Sequence, residues 1–280
     1  MGIDSGGSWQ SMETHCLVEI FAWLGLDDII LSVPFVCKSW LDAARNPLCW
    51  RKLDFRQLDI LPWGNFSKSF VLCYSLPFFS FTYLLKFTIN RSLNSVTEMR
   101  FPLKFTSLED VIIASEKCRH LKSVALPILS QCEEAQIPEL VCKWKDLERL
   151  ELESKPSNFK ELVKNISLNC SKFSCFRISR SSFGEEDVLG IIRYLPRLKK
   201  FELNNSYLPK EDLLIMINGC EKLERLNAVD CLGFNGDDEE INSRASRIRD
   251  FKLEGCKLYS EYDACESEDS GNQFCYDYIL

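Results

Sequence analysis

One arrangement of apolar positions recurs along most of the chain: an apolar residue, two intervening residues, a second apolar residue, one intervening residue and a third apolar residue. The starting positions are 25 or 26 residues apart. The seven copies of this frame are Val96-Met99-Phe101, Leu121-Val124-Leu126, Leu147-Leu150-Leu152, Phe173-Phe176-Ile178, Leu198-Phe201-Leu203, Leu223-Leu226-Ala228 and Ile248-Phe251-Leu253. Because strand side chains alternate between faces, each frame predicts a strand with buried frame residues and solvent-facing intervening residues. So regular a period indicates a solenoid of stacked units.

Helical signals lie between the frames. Ser107 precedes an acidic pair and an apolar run, which predicts a capped helix start. Pro209 opens a second predicted helix, and Gly219 is placed to end it. Each unit therefore combines a strand with a return helix. The Phe-rich segment 55–92 includes an uncharged run at 69–85, which we interpret as buried connector helices, because this run is short for a bilayer and contains Pro77.

Residues 9–54 follow a different, helical pattern. Apolar residues from Leu17 to Leu24 recur at helical spacing, and Asp27-Asp28 then opens a second predicted helix that carries Ile29 and Ile30. A run from Phe35 to Trp40 follows Pro34, and Trp50 comes ten residues later. The pattern predicts a small helical module that precedes the solenoid.

Charge and cysteine content narrow the function classes. The net charge is −7, and six of these charges fall in the last 23 residues without a Lys or Arg, so the rest is near neutral and poorly suited to binding nucleic acid. Two histidines exclude most multi-histidine metal sites. The 14 cysteines include no CxxC pair, and the N-terminus lacks the basic start and apolar run of a signal peptide. We predict buried free thiols in an intracellular protein, with no cofactor, no metal, no membrane segment and no catalytic residue.

The sequence resembles two known families. Residues 9–54, with a Leu-x-x-Ile-Phe helix, Val-Cys-Lys-x-Trp and a downstream Trp50, are similar to the F-box, although Met12-Glu13 replaces its usual Leu-Pro. The frames, with cysteines such as Cys118 and Cys231 at recurrent positions, resemble cysteine-containing leucine-rich repeats (LRRs). The resemblance implies an α/β protein with an N-terminal three-helix F-box and a horseshoe of about seven repeats. Its predicted parts are an F-box at 9–54, a helical connector at 55–92, repeats at 93–262 and a mobile acidic tail at 263–280.

The F-box/LRR resemblance to plant proteins also implies a function. It implies a non-catalytic substrate receptor in a Skp–cullin–F-box (SCF) ubiquitin ligase of the cytoplasm or nucleus, or both. The F-box would dock a Skp-type adaptor and through it the cullin, and the repeats would bind a target protein. Two alternatives stay open, a non-degradative F-box/LRR interaction module and an enzyme or small-molecule receptor. By position, the adaptor-facing or module-core residues are Met12, Leu17, Ile20, Phe21, Leu24, Ile29, Val36 and Trp40.

The intervening strand positions predict the target-binding face. Their charges alternate in sign along and across two rows, which suits a mixed-charge protein surface better than a polyanion. Arg149, Arg177 and Lys200 lie in consecutive units and adjacent rows, so we predict one contiguous basic spot for the target. Exposed charges contribute little to folding, and we expect their reversal to leave the fold intact.

Overall fold

The computed structural model describes Trp9 and residues 12–258 of the 280-residue chain. The chain divides into two compact units, Met1–Pro127 and Ile128–Leu280. Both are mixed α/β units with parallel strands, as the sequence predicts. The predicted acidic tail at 263–280 lies outside the described residues.

The first unit combines helices with three short strands. Its α-helices are α1 Thr14–Phe21, α2 Lys38–Ala44, α3 Asn65–Cys73, α4 Phe81–Ser92 and α5 Leu108–Lys117. Its strands are β1 Lys52–Asp54, β2 Glu98–Arg100 and β3 Ser123–Ala125. All pair in parallel, with Leu53 beside Met99 and Met99 beside Val124. These three side chains are fully buried, so they form the core that the frames predict.

Strand β1 was not predicted, although its signal is present in the sequence. Trp50, Leu53 and Phe55 repeat the apolar frame, and all three are buried. The frame escapes the 25-residue period because 46 residues separate its start from Val96, and helices α3 and α4 fill that interval. The first strand of the unit therefore begins at the end of the N-terminal module.

The second helix predicted in the N-terminal module takes another form. It is a π-helical turn at Asp28–Ser32, followed directly by a 3₁₀ turn at Val33–Phe35. Pro34 lies in the first turn of the 3₁₀ segment, and proline has no N–H group to continue an α-helical ladder. Ile29 and Ile30 are buried, as the apolar pattern predicts, but the segment that carries them is a π-helical turn and not an α-helix.

Aromatic side chains join the connector to the N-terminal module within the first unit. The Tyr74 hydroxyl donates a 2.8 Å hydrogen bond to the Ile30 carbonyl. The Phe87 ring lies 6.0 Å from Trp50 and 5.6 Å from Phe70 between ring centroids. Helices α3 and α4, which lie in the range predicted as a connector, thus pack against the N-terminal module.

The second unit repeats a strand and helical segments five times. Its strands are β4 Arg149–Leu152, β5 Cys175–Ser179, β6 Lys200–Asn204, β7 Arg225–Val229 and β8 Asp250–Glu254. Its α-helices are α6 Gln131–Glu134, α7 Ile137–Val141, α8 Phe159–Asn169, α9 Glu185–Tyr194, α10 Lys210–Gly219 and α11 Glu239–Arg244. Each strand pairs in parallel with the next. Every one begins two residues after the start of its predicted frame.

Frame residues fill the interior between strands and helices. Phe176 and Phe201 are fully buried neighbours in register, and their ring centroids are 6.5 Å apart. Phe159 of α8 contacts Phe176 at 5.9 Å. The predicted helix starts are also present: Ser107 and Asp110 form a capping box at α5, and α10 follows Pro209 and ends at Gly219.

Candidate interaction surfaces

The eight predicted adaptor-facing or module-core residues differ widely in exposure. Three are buried in the first unit: Leu17, Phe21 and Ile29. Three present more than a third of their surface to solvent: Ile20, Leu24 and Val36. Two are half-buried: Met12 and Trp40. The first group therefore belongs to the core, and the second group is free to contact a partner.

Helix α1 explains this division. Leu17 and Phe21 are four residues apart and point inward, so Ile20 falls on another side of the helix. The backbone N–H of Trp23 donates to the Ile20 carbonyl at 3.1 Å, which extends the helical course by a turn. Ile20, Trp23 and Leu24 are thus exposed apolar residues at the C-terminal end of α1 and in the turn after it, and we name these three residues the α1 apolar patch.

Several exposed aromatic residues of this module were not predicted as contact residues from the sequence. Trp23 is 85% exposed and is the most exposed member of the α1 apolar patch. Its position three residues after Ile20 was the available signal. Trp9 and Phe35 are also more than half exposed. Trp40 has a supporting role, because its ring contacts Phe21 at 5.2 Å and Trp9 at 6.3 Å.

Two rows of side chains follow the strands of the second unit at the positions between frame residues. The first row is Arg149, Cys175, Lys200, Arg225 and Asp250. The second row is Glu151, Arg177, Glu202, Asn227 and Lys252. The register places each residue beside its row neighbours, which confirms that the strands align these side chains on one face.

An ion-pair network occupies the β4–β6 part of this face. Arg149 Nε donates to Glu151 Oε1 at 2.9 Å, and Arg149 Nη2 lies 3.5 Å from Glu202 Oε2. Arg177 Nη1 lies 4.0 Å from Glu151 Oε2. We name these four side chains the β4–β6 ion network. Each of its two arginines contacts at least one carboxylate, so the network largely neutralises itself.

Burial corrects the prediction that all intervening positions face solvent. Glu151 is only 4% exposed and Cys175 only 6%, and Ala125 of the first unit is also buried. Long arginine side chains are the physical reason. Arg149 covers Glu151 by bonding to it, and the guanidinium of Arg56 donates to the carbonyls of Phe101 and Leu126 beside Ala125.

The predicted basic spot is also corrected. Arg149 and Arg177 do not form a continuous basic surface with Lys200, because the carboxylates of Glu151 and Glu202 lie among them. Reversing either arginine would place a carboxylate against Glu151, so the expectation that reversal leaves the fold intact no longer holds. Contact between these three residues and a target stays a prediction.

A charged pocket of about 470 Å³ lies at the start of β6, β7 and β8. Its lining is entirely charged: Lys200, Glu224, Arg225, Arg249 and Asp250. Arg225 Nε is 2.6 Å from Asp250 Oδ2. Glu224 Oε1 is 2.9 Å from the Nζ atom of Lys199, just outside the lining. Both carboxylates of the pocket therefore already have a cationic partner.

Seven of the twelve cysteines in the described part are buried and pack as small apolar groups, as predicted for several of them. All twelve are free, and the thiol of Cys170 donates to the Trp144 carbonyl at 3.4 Å. Burial raises the pKa of Cys118 and of Cys170 to about 12, and that of Cys220 to about 11. Thiols with such pKa values are poor nucleophiles at neutral pH.

Within residues 12–258, no group of three or more His, Cys, Asp or Glu side chains is placed to hold a metal ion. None of the helices in the same range has the length and apolar character needed to cross a bilayer.

Comparison with known proteins supplies relatives from one plant. No model of a known protein family matches the chain. Eight curated proteins of Arabidopsis thaliana, named F-box or F-box/LRR-repeat proteins, are 20–26% identical to it over most of its length. One F-box/LRR-repeat protein is 26% identical, over 78% of this chain and 71% of the relative. F-box protein SKIP1 is 20% identical, over 98% of this chain and 96% of its own. The resemblance to plant F-box/LRR-repeat proteins is confirmed.

Among solved structures, the C-terminal domain of tropomodulin from Caenorhabditis elegans is similar to the chain. The two are 16% identical, and the match covers 59% of this chain and 99% of the tropomodulin domain with a TM-score of 0.40.

Proposed function

We propose that this protein is the substrate-recognition subunit of an SCF-type ubiquitin ligase. A three-helix F-box at 9–54 docks a Skp-type adaptor, the connector at 55–92 follows it, and a horseshoe of about seven repeats at 93–262 holds a target protein. The relatives named F-box and F-box/LRR-repeat proteins support a protein-interaction role for the chain. The observation that carries the proposal is the exposed α1 apolar patch on the module that resembles the F-box.

The α1 apolar patch suits a permanent protein contact. Trp23 is largely exposed, and Ile20 and Leu24 each expose more than a third of their surface, although Leu17 and Phe21 of α1 are buried. Burying the exposed part of each of the two aliphatic side chains would stabilise a complex by about 0.5–1 kcal/mol, since only a little over a third of each is exposed. A tryptophan beside two aliphatic residues also has the composition of an interface hot spot. An adaptor with an apolar groove is the partner that this surface fits.

The chemistry of ubiquitin transfer would take place on other subunits. The adaptor would link the chain to a cullin, and the repeats would hold a target lysine near a charged ubiquitin-conjugating enzyme. Its contribution to the rate would be a raised effective concentration of that lysine. The proposed complex acts in the cytoplasm, the nucleus or both.

The experiment measures the affinity of the purified full chain for a purified Skp-type adaptor. The test variant carries Ile20→Asp and Leu24→Asp, which place two charges in the proposed contact at positions outside the fully buried core. We expect at least about a tenfold loss of affinity, since the remaining apolar surface of both side chains is lost from the contact and two charges would be desolvated there. Leu17 is unsuitable for this test, because a charge at a fully buried position would unfold the module.

The matched control carries Leu168→Asp and Leu189→Asp. Both leucines are exposed on helices of the second unit, so the variant has the same change of charge at a site that the adaptor does not use in the proposal. Its affinity should equal that of the unmodified chain. Equal adaptor binding by the test variant and the control would refute the proposed contact.

A further inference from the structure

The charged pocket at the start of β6–β8 contains more cations than its carboxylates can neutralise. Three of its five lining side chains are cationic: Lys200, Arg225 and Arg249. Asp250 pairs with Arg225, and Glu224 pairs with Lys199 from outside the lining. Neither Lys200 nor Arg249 makes a side-chain hydrogen bond or an ion pair with any other residue of the part that the structure describes. Two cations in this pocket are therefore available to a ligand.

The pKa of Glu224 shows that the pocket is electropositive. The hydrogen bond from Lys199 is the largest cause that lowers the pKa of its carboxyl group, followed by the charge of Lys199. The charges of Lys200 and Arg249 lower this pKa further. A carboxylate at this rim is thus stabilised by three surrounding cations, although it lies on the protein surface. A second anion entering the pocket would meet the two cations that Glu224 does not contact.

The cations of the β4–β6 ion network, unlike Lys200 and Arg249 of the pocket, are already paired with carboxylates. The arginines of this network are held by Glu151 and Glu202 at 2.9 to 4.0 Å, so an incoming anion would have to displace resident carboxylates. In the pocket, an anion can pair with Lys200 without breaking a contact. Available charge therefore lies at the β6–β8 end of the strand face.

We propose that the pocket binds an anionic side chain of the target protein, a carboxylate or a phosphate ester, which pairs with Lys200 and Arg249. The proposal deepens the proposed function, on which it rests, by naming the chemistry of the target. A volume of about 470 Å³ lies within the range of ligand pockets, about 300–1,000 Å³, and holds one side chain with adjoining backbone. Arg249 can also bind either anion through two parallel N–H groups.

The experiment measures binding of three fluorescent peptides to the purified full chain by polarisation. One peptide is rich in glutamate, the second has phosphoserine at the same positions, and the third has glutamine there. We expect at least one anionic peptide to bind and the glutamine peptide not to bind. The charge-reversal variant with Lys200→Glu and Arg249→Glu should bind the anionic peptide at least about tenfold more weakly, because the charged contact is desolvated in the complex.

Two additional variants make the result specific. Lys160→Glu with Lys164→Glu changes the net charge equally on the exposed surface of α8 and should leave peptide binding unchanged. Glu224→Gln removes a resident carboxylate and frees Lys199, so it should tighten anionic peptides by up to about fivefold. A gain of affinity cannot arise from damage to the surface. Whichever anionic peptide binds more tightly identifies the source of the anion.

The inference would be overturned by three results. They are no binding of either anionic peptide, equal binding of the glutamine peptide, or equal losses in the two charge-reversal variants. Adaptor affinity measured on the same preparations separates this failure from failure of the proposed function. Lys200 and Arg249 lie far along the sequence from the α1 apolar patch, so adaptor binding should remain unchanged in every pocket variant.

Discussion

Glu151 is a charged strand residue whose substitution should affect stability strongly, although sequence alone places it on a solvated face. Its side chain is only 6% exposed and holds two arginines, Arg149 and Arg177. Glu151→Gln removes the negative charge and turns an N–H₂ group toward one of the guanidinium groups. Arg149 would then keep Glu202 as its carboxylate partner within the β4–β6 ion network, and Arg177 would lose the one carboxylate that it contacts in this network.

The structure sets the size of this effect. Breaking a fully buried ion pair typically costs about 3–5 kcal/mol, because one charge is left without a partner. The side chains of Arg149 and Arg177 are 33% and 37% exposed, so water compensates part of the loss. We therefore expect Glu151→Gln to lower the free energy of unfolding by about 1–3 kcal/mol. For a unit of about 150 residues this corresponds to a decrease in Tm of about 3–9 °C.

Glu224→Gln is the matched control for this assay. It makes the same substitution in the Lys199–Glu224 pair, whose two side chains are 51% and 55% exposed, and such pairs contribute about 0–1 kcal/mol. Thermal unfolding of both variants would be followed by circular dichroism with and without about 0.5 M salt, which screens exposed pairs more than buried ones. A decrease in Tm for Glu151→Gln no larger than that of the control would refute this reasoning.

Three other predictions concern the core, the thiols and a buried carboxylate. Phe201→Ala should destabilise the second unit by about 3–5 kcal/mol in denaturant unfolding, since its fully buried ring is lost from a packed aromatic cluster. Labelling of the native chain with a thiol reagent should modify exposed Cys73 and Cys132 quickly, while Cys170 reacts only on unfolding. Burial and neighbouring carboxylates raise the pKa of Asp212 in the folded chain. Ionisation of Asp212 therefore destabilises the folded chain once the pH rises above the pKa that this residue has in the unfolded chain. Asp212→Asn should therefore increase the free energy of unfolding at neutral pH by up to about 1 kcal/mol, which thermal unfolding would show as a higher Tm. At a pH of about 3 the substitution should leave Tm unchanged.

The repeat architecture was predictable because its signal is cumulative. Seven apolar frames at a nearly constant spacing define where each strand begins, and the structure places a strand two residues after every frame start. Strand β1 was missed because its frame does not take part in this regular spacing. Its frame at Trp50 has no neighbour 25 residues away, because the connector helices stand in the gap.

The surface was less predictable, because exposure depends on which long side chains meet. The alternation of a strand places Glu151 on the outer face, but no sequence rule says that Arg149 and Arg177 both contact it there. In the N-terminal module, helical spacing grouped Leu17 with Ile20, although one is core and the other surface. The direction of helix α1 relative to its neighbours separates the two, and a single sequence does not contain that direction.

The central claim is that this chain connects a target to the ubiquitin-transfer machinery. It is tested most directly by affinity purification from plant cells in which the proteasome is inhibited. The unmodified chain should recover a Skp-type adaptor, a cullin and ubiquitin-modified target proteins. The variant with Ile20→Asp and Leu24→Asp should recover the same targets without adaptor or cullin, and with ubiquitin largely lost. Recovery of adaptor, cullin and modified targets with this variant at the level of the unmodified chain would contradict the account.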